Sequence, residues 1–130
     1  MVIKLDNDRF SSMVNKRLKW VGRLDALKIE TSTKNSNRDL FRLTFTEVEE
    51  CDTGDKFRNH VHILVERKLF TRLKSKNLIG SKFSFTAVIY EYYKKACIHK
   101  ENGLYYRELS IGLKELKNIS RLNEKKIKNK

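Results

Sequence analysis

Residues 82–95 constrain the fold of this chain more than any other part of its sequence. They read Lys-Phe-Ser-Phe-Thr-Ala-Val-Ile-Tyr-Glu-Tyr-Tyr-Lys-Lys. Because side chains alternate between the two faces of an extended strand, this segment predicts a strand with one apolar face. That face consists of Phe83, Phe85, Ala87 and Ile89. The opposite face ends at Tyr90 and Tyr92, so aromatic rings meet the cations Lys94 and Lys95 where the strand ends.

The size and composition of the chain indicate one domain with a modest core. The chain has 130 residues, of which 39% are hydrophobic, and it contains no proline. No apolar run approaches the ~20 residues of a membrane span, and the N-terminus lacks the apolar segment of a secretory signal. Two cysteines, Cys51 and Cys97, are too few for a disulfide framework. We therefore expect a protein of the reducing cytoplasm.

The charge of the chain predicts a polyanionic partner. The net charge is +13, from 29 Lys and Arg against 16 Asp and Glu. Several acids are concentrated in residues 47–55, where no Lys or Arg occurs, so the rest of the chain is more basic than the total suggests. Nucleic acid is the first candidate partner and an anionic membrane surface the second. A basic protein without such a partner is the alternative.

Alternation and turn signals predict four further strands and one short helix. Gly22 lies inside the first strand, where a glycine often marks a bulge or a bend. Gly80 follows the helix, where helices commonly end. The predicted strands span residues 18–29, 40–48, 58–66, 82–93 and 104–113, and the helix spans residues 69–77.

The two ends of the chain carry weaker patterns. Residues 1–17 predict an extension before the domain, with a short strand at residues 1–5 and a helical turn after Asp8. The basic tail from residue 114 has a helix-like apolar spacing over its first part. That spacing is formed by Leu113, Leu116, Ile119 and Leu122. We expect its last part, residues 123–130, to be disordered.

The order of three strands, a helix and two strands resembles that of the OB-fold, a five-stranded Greek-key barrel. The resemblance covers residues 18–122 and implies a mainly β protein. Members of that family mostly bind single-stranded DNA, RNA or oligosaccharide, through the faces of strands two and three and the loops one–two and four–five. Here those loops are residues 31–38 and 94–103, and both are basic.

In size and charge the chain is most similar to small single-stranded-DNA-binding proteins of that family. It departs from the housekeeping bacterial type, which ends in an acidic tail that recruits partners, because this chain ends Glu-Lys-Lys-Ile-Lys-Asn-Lys. Its richness in Lys, Asn and Ile fits an AT-rich genome, such as that of a plasmid, a phage or another mobile element.

Tyrosines are the candidate stacking residues, because flat rings stack on unpaired bases. Five of them, Tyr90, Tyr92, Tyr93, Tyr105 and Tyr106, lie on the last two predicted strands. About two of the five should pack structurally. The outward set of Tyr90, Tyr92 and Tyr106 is the predicted stacking surface. Phe57 is a possible further platform, whereas Trp20 is expected in the core.

Basic side chains should line a groove on the same surface. The predicted groove cations are Arg42, Arg58, Lys94, Lys95, Lys100 and Arg107, with Lys34 and Arg38 closing it from the first loop. For any single lysine, a solvated surface position is an equally good explanation. His60 and His62 share one strand face, and we expect them to hydrogen-bond or stack on the binding face, because two histidines are too few for a zinc site.

We expect no enzymatic activity, metal or cofactor. The acids cluster in a turn, and the sequence contains no Gly-rich phosphate loop and no Gly-x-Ser-x-Gly motif. The favoured hypothesis is a binder of single-stranded DNA with little sequence readout, associating along the strand through residues 1–12. The alternatives are an RNA-binding OB domain and an OB-fold protein-interaction subunit of a nucleoprotein complex, in which the acidic turn 47–55 contacts a partner.

Overall fold

One sheet and one short helix make up the part of the protein that the structure describes. A computed structural model describes residues 2–4, 9–31, 39–93, 97–98 and 105–122. The strands and the helix are β1 (Val2–Lys4), β2 (Arg17–Thr31), β3 (Asp39–Glu50), β4 (Lys56–Val65), α1 (Arg67–Ser75), β5 (Lys82–Tyr93), β6 (Cys97–Ile98) and β7 (Tyr105–Arg121). A 3-10 turn at Arg9–Met13 precedes β2. The mainly β prediction is confirmed.

The five long strands form antiparallel ladders in the order β7-β5-β2-β3-β4. The short β1 adds to β7 in parallel, and β6 pairs with β7. The sheet curls until β4 lies beside β7, but no ladder joins these two strands in the described part of the chain. We call this junction the β4–β7 seam. The sheet is therefore not closed by hydrogen bonds.

The strand at β5 agrees with its sequence pattern. It spans Lys82–Tyr93, and its predicted apolar face is buried. The helix α1 turns Phe70 and Leu73 into the core, but it spans Arg67–Ser75 and so begins and ends two residues before the predicted range. The left-handed residue that ends it is Asn77 at φ 53°, and not the predicted Gly80. Strand β5 and the buried face of α1 agree with the prediction because each has one periodicity that a single buried face explains.

Aromatic packing fills one end of the core. Phe10, Trp20 and Phe57 form a cluster with ring centroids 5.0–5.4 Å apart. Trp20 is fully buried, as expected, and its indole Nε1 donates a hydrogen bond to the Ala87 carbonyl at 3.2 Å. Phe10 comes from the 3-10 turn and is only 1% exposed. This part of the predicted extension therefore packs into the core.

The N-terminal strand β1 pairs with β7 of its own chain, at Arg107–Leu109. Strand β1 pairs with the edge of β7 that does not pair with β5. Further along β7, the same edge faces β4. Self-association through residues 1–12 stays a prediction.

The helix predicted from Leu113, Leu116 and Ile119 is wrong, because β7 continues as a strand to Arg121. The ladder between β5 and β7 contains two successive bulges. At each of them, β5 advances by two residues while β7 advances by three. The β7 backbone accommodates the extra residues at Glu115 and Asn118, where φ is 55° and 56°. Each bulge resets the alternation, so apolar residues three positions apart point to the same side. All three pack against the core.

A similar irregularity confirms the expectation at Gly22. The register between β2 and β3 shifts at this point, opposite Glu47, whose φ is 53°. A Cβ atom on Gly22 would lie 3.1 Å from Val48 Cγ2 and 3.3 Å from Phe45 Cβ. The glycine thus lets the bulged β3 pack directly on β2.

Asn118→Val should lower the free energy of unfolding by about 1–2 kcal/mol, because a β-branched side chain is strained at positive φ. Asn118→Gly should stay within about 0.5 kcal/mol of wild type, as a tolerated surface substitution does. Urea denaturation followed by tryptophan fluorescence measures both. Ser120→Val is the matched control, since Ser120 is exposed on the same strand without a positive φ. Equal losses for Asn118→Val and Ser120→Val would contradict the bulge.

Candidate nucleic-acid interface

A cleft of about 330 Å³ opens along the β4–β7 seam. We call it the seam cleft. It is lined by Arg42 of β3, by Phe57, Arg58, His60, Val61 and His62 of β4, by Tyr90 and Tyr92 of β5, and by Ser110, Ile111 and Gly112 of β7. Successive residues of β4 line the cleft although their side chains point to opposite faces of the sheet. This is possible because the cleft follows the edge of that strand. No carboxylate is among these lining residues.

Two tyrosine rings form one wall of the seam cleft. The ring centroids of Tyr90 and Tyr92 are 5.5 Å apart at an interplanar angle of 34°. In the ladder these residues pair with Gly112 and Ser110 of β7. A Cβ atom on Gly112 would lie 3.1 Å from Cε1 of Tyr90 and 3.3 Å from Cε1 of Tyr92. The glycine therefore allows both rings to lie close against the strand.

The environment of Tyr90 keeps its hydroxyl neutral. Burial raises the pKa of the Tyr90 phenol, and the neighbouring Tyr92 acts in the same direction. The ammonium of Lys114 lies 5.5 Å from the centroid of the Tyr90 ring, within the range of a cation–π contact. Tyr92 is the more accessible of the two rings, with 37% of its surface exposed.

Basic and imidazole side chains form the opposite wall. The Arg58 guanidinium lies over the Phe57 ring, 4.6 Å from its centroid, and donates a hydrogen bond to the Phe57 carbonyl. Arg42 donates from Nη2 to Oε1 of Glu30 at 2.6 Å. These contacts hold both guanidinium groups in place at the cleft. Glu30 offsets part of the Arg42 charge from outside the lining.

The imidazole of His62 is neutral at neutral pH. Its Nδ1 atom shares a hydrogen bond of 2.9 Å with Oγ1 of Thr44, which faces it across the ladder. Burial lowers the pKa of His62, and the charges of Arg42 and His60 lower it further. A neutral imidazole can hydrogen-bond to a base, and it can become a cation when a phosphate approaches.

The structure brings six of the predicted binding residues to one cleft. These are Tyr90, Tyr92, Arg42, Arg58, His60 and His62. Tyr93 is 54% exposed and does not line the cleft, because it alternates to the other face of β5. The predicted cations Lys34, Arg38, Lys94, Lys95 and Lys100 lie outside the described residues. Tyr106 and Arg107 belong to β7, but their side chains also lie outside the description.

Sequence reasoning did not identify Gly112 or Lys114 as parts of this site. A glycine inside a strand pattern signals a close approach by another group, so Gly112 carried a usable signal. Lys114 carried none, because it was assigned to the tail rather than to a strand.

The acidic turn is partly neutralised within the chain. Arg9 forms ion pairs with Glu50 and with Asp55, the latter at 2.7 Å, and donates a hydrogen bond to Thr53 Oγ1 at 3.0 Å. The hydrogen bonds to Asp55 and Glu50 raise the pKa of Arg9. Arg9 thereby ties the turn to the 3-10 segment that carries Phe10. This contact gives the turn a structural role.

The described ranges contain neither a cluster of metal-binding side chains nor a helix that could span a membrane. No group of three or more His, Cys, Asp or Glu side chains lies close enough there to hold a metal ion. None of the helices in that part of the chain has the length and apolar character to cross a membrane.

The sequence matches no protein-family model and no curated protein. The strand order and the geometry of the seam cleft are therefore the observations from which a function can be proposed.

The pKa of His62 should lie below its ordinary value of 6.5. Since the unfolded chain then binds this proton more tightly, stability from neutral His62 is present above pH 6.5 and lost as pH falls below it. Arg42→Ala should raise the pKa by removing a nearby positive charge, whereas Arg72→Ala on α1 should not. A pH titration of the imidazole NMR signals measures the pKa of His62 in the wild type and in both variants. A wild-type value at or above 6.5 would contradict this assignment.

Proposed function

We propose that the protein is an OB-fold domain that binds single-stranded DNA with little sequence specificity. The strand order β7-β5-β2-β3-β4 and the position of α1 between β4 and β5 support this fold. In that fold β3 and β4 are the second and third strands, whose faces are the usual binding surface. Both strands contribute side chains to the seam cleft.

The observation that carries the proposal is the pairing of two unlike walls across one cleft. Tyrosine rings offer flat surfaces on one side, and arginine and imidazole groups offer charge and hydrogen bonds on the other. Bases stack on aromatic rings whatever their identity, and phosphates are held by cations. The two walls therefore match the two parts of a nucleotide strand.

A single strand should bind better than a duplex because its bases are free to leave the stack. In a duplex each base is already stacked and paired, so the tyrosines gain no contact. The basic wall would attract either form. The ratio of the affinities for single-stranded and duplex DNA thus measures the contribution of base stacking. The salt dependence of the affinity measures the contribution of the charged side chains.

Salt dependence should be steep for this arrangement. Each phosphate neutralised in a single-strand complex changes the slope of log K against log salt by about −0.7. With Arg42, Arg58 and Lys114 each holding one phosphate, the slope should be about −2 or steeper. Protonation of the histidines on binding would add to it.

Tyr92→Ala should weaken binding to oligo-dT by about 1–3 kcal/mol, or roughly 5- to 150-fold in Kd, through the loss of one stacked base. Tyr93→Ala is the matched control, because it removes a neighbouring exposed tyrosine that does not line the cleft. Fluorescence anisotropy with labelled oligo-dT at two salt concentrations measures both variants.

The same titration distinguishes the alternatives. Equal Kd values for wild type and Tyr92→Ala would contradict stacking and favour a protein-interaction role for the domain. Equal affinity for duplex and single strand would leave only the charge argument. Tighter binding of a matched RNA than of DNA would assign the cleft to RNA, because the 2′-hydroxyl would then be recognised.

A further inference from the structure

A second cationic surface lies on the outer side of β2, β5 and β7, away from β3 and β4. We call it the outer basic face. It consists of Arg17 and Lys19 of β2 and Lys114 and Lys117 of β7, on either side of Thr86 and Val88 of β5. Residues directly opposite in antiparallel strands share a face, so the four cations stand in two rows. Lys19, Lys114 and Lys117 are exposed.

The bulges of β7 create this surface. Lys114 and Lys117 are three residues apart, and in a regular strand they would point to opposite sides of the sheet. Because a bulge lies between them, Lys114 pairs with Val88 and Lys117 pairs with Thr86, both on the outer face of β5. The same shift sends Leu113 and Leu116 inward.

The charges of the outer basic face are only partly neutralised. Arg17 donates hydrogen bonds to Thr86 Oγ1 at 3.0 Å and to the Glu115 carbonyl at 2.8 Å, and it pairs with the Glu115 carboxylate at 3.4 Å. Among the residues that the structure describes, Lys19 and Lys117 form no salt bridge. An arginine held by hydrogen bonds, together with these two exposed lysines, gives a surface of positive potential on either side of Thr86 and Val88.

The outer basic face is continuous with the seam cleft. Lys114 belongs to the face, and its ammonium lies over the ring of Tyr90, which lines the cleft. Along β5, the outward residues run in order from Tyr92 and Tyr90 to Val88 and Thr86. At about 3.3 Å per residue, the distance from Tyr92 to Thr86 is roughly 20 Å.

We propose that a nucleic-acid strand leaving the seam cleft past Tyr90 continues across the outer basic face. This inference rests on the proposed function and extends it to the length of strand that one protein molecule occupies. The face carries no further aromatic ring beyond Tyr90 among its described residues, so it holds phosphates without stacking bases. Short oligomers then occupy the cleft alone, and longer ones occupy the cleft and the face.

The double variant Lys19→Ala/Lys117→Ala separates the two surfaces. Oligo-dT of about 4 and about 16 nucleotides spans the range of site sizes known for OB-folds. For the long oligomer, the slope of log K against log salt should become shallower by about 1.4, since two phosphate contacts are lost at about 0.7 each. For the short oligomer, Kd and slope should match those of wild type. Lys68→Ala/Lys76→Ala, which removes equal charge near α1, is the control.

The outcomes distinguish the two proposals. If wild type binds neither oligomer at low salt, the proposed function fails and takes this inference with it. If wild type binds both but the double variant keeps the wild-type slope on the long oligomer, only the inference fails. Two further results would overturn the inference. One is an equal loss of affinity for the short and the long oligomer in the double variant, and the other is the same loss in the control variant. Either would show an effect of overall charge.

Discussion

Three bulged residues with left-handed backbone conformations, Glu47, Glu115 and Asn118, govern the shape of this sheet. Each adds a residue to one strand of an antiparallel pair, and such bulges bend and twist the strand that contains them. With that curvature, strands of ten to seventeen residues enclose one aromatic and aliphatic core, and the first and last long strands of the ladder meet at the β4–β7 seam. The core, the cleft and the outer surface all depend on this bending.

The seam contains a cleft because its two strands do not pair. A continuous ladder would have brought β4 against β7 and closed the space between them. Instead the cleft exposes the edge of β4, with Phe57 and Val61 from one face and His60 and His62 from the other. The absence of a side chain at Gly112 completes the site, because it lets two tyrosine rings lie against β7. Aromatic rings and basic side chains therefore meet where the sheet is not closed.

Elements with one simple periodicity could be predicted from the sequence, and elements with a broken periodicity could not. Strand β5 and helix α1 each bury one face at a constant spacing, so the bounds of β5 and the buried residues of both elements followed from pattern alone. The helix itself lies two residues before its predicted range, because Asn77 rather than Gly80 ends it. In β7 the bulges convert a period of two into a period of three, which imitates a helix. For the same reason, Lys114 was placed in the tail and was not predicted to be part of the site. The burial of Phe10 depends on a long-range contact with Trp20 that no local pattern contains.

The central claim is that single-stranded DNA binds in the seam cleft, and NMR mapping tests it most directly. Two-dimensional ¹H–¹⁵N spectra of labelled protein would be recorded during titration with oligo-dT and, separately, with a duplex of equal length. We predict that oligo-dT causes the largest shift changes at the amides of His60, His62, Tyr92 and Gly112, and that the duplex causes smaller ones there. Changes confined to α1, or identical changes with both ligands, would contradict the claim.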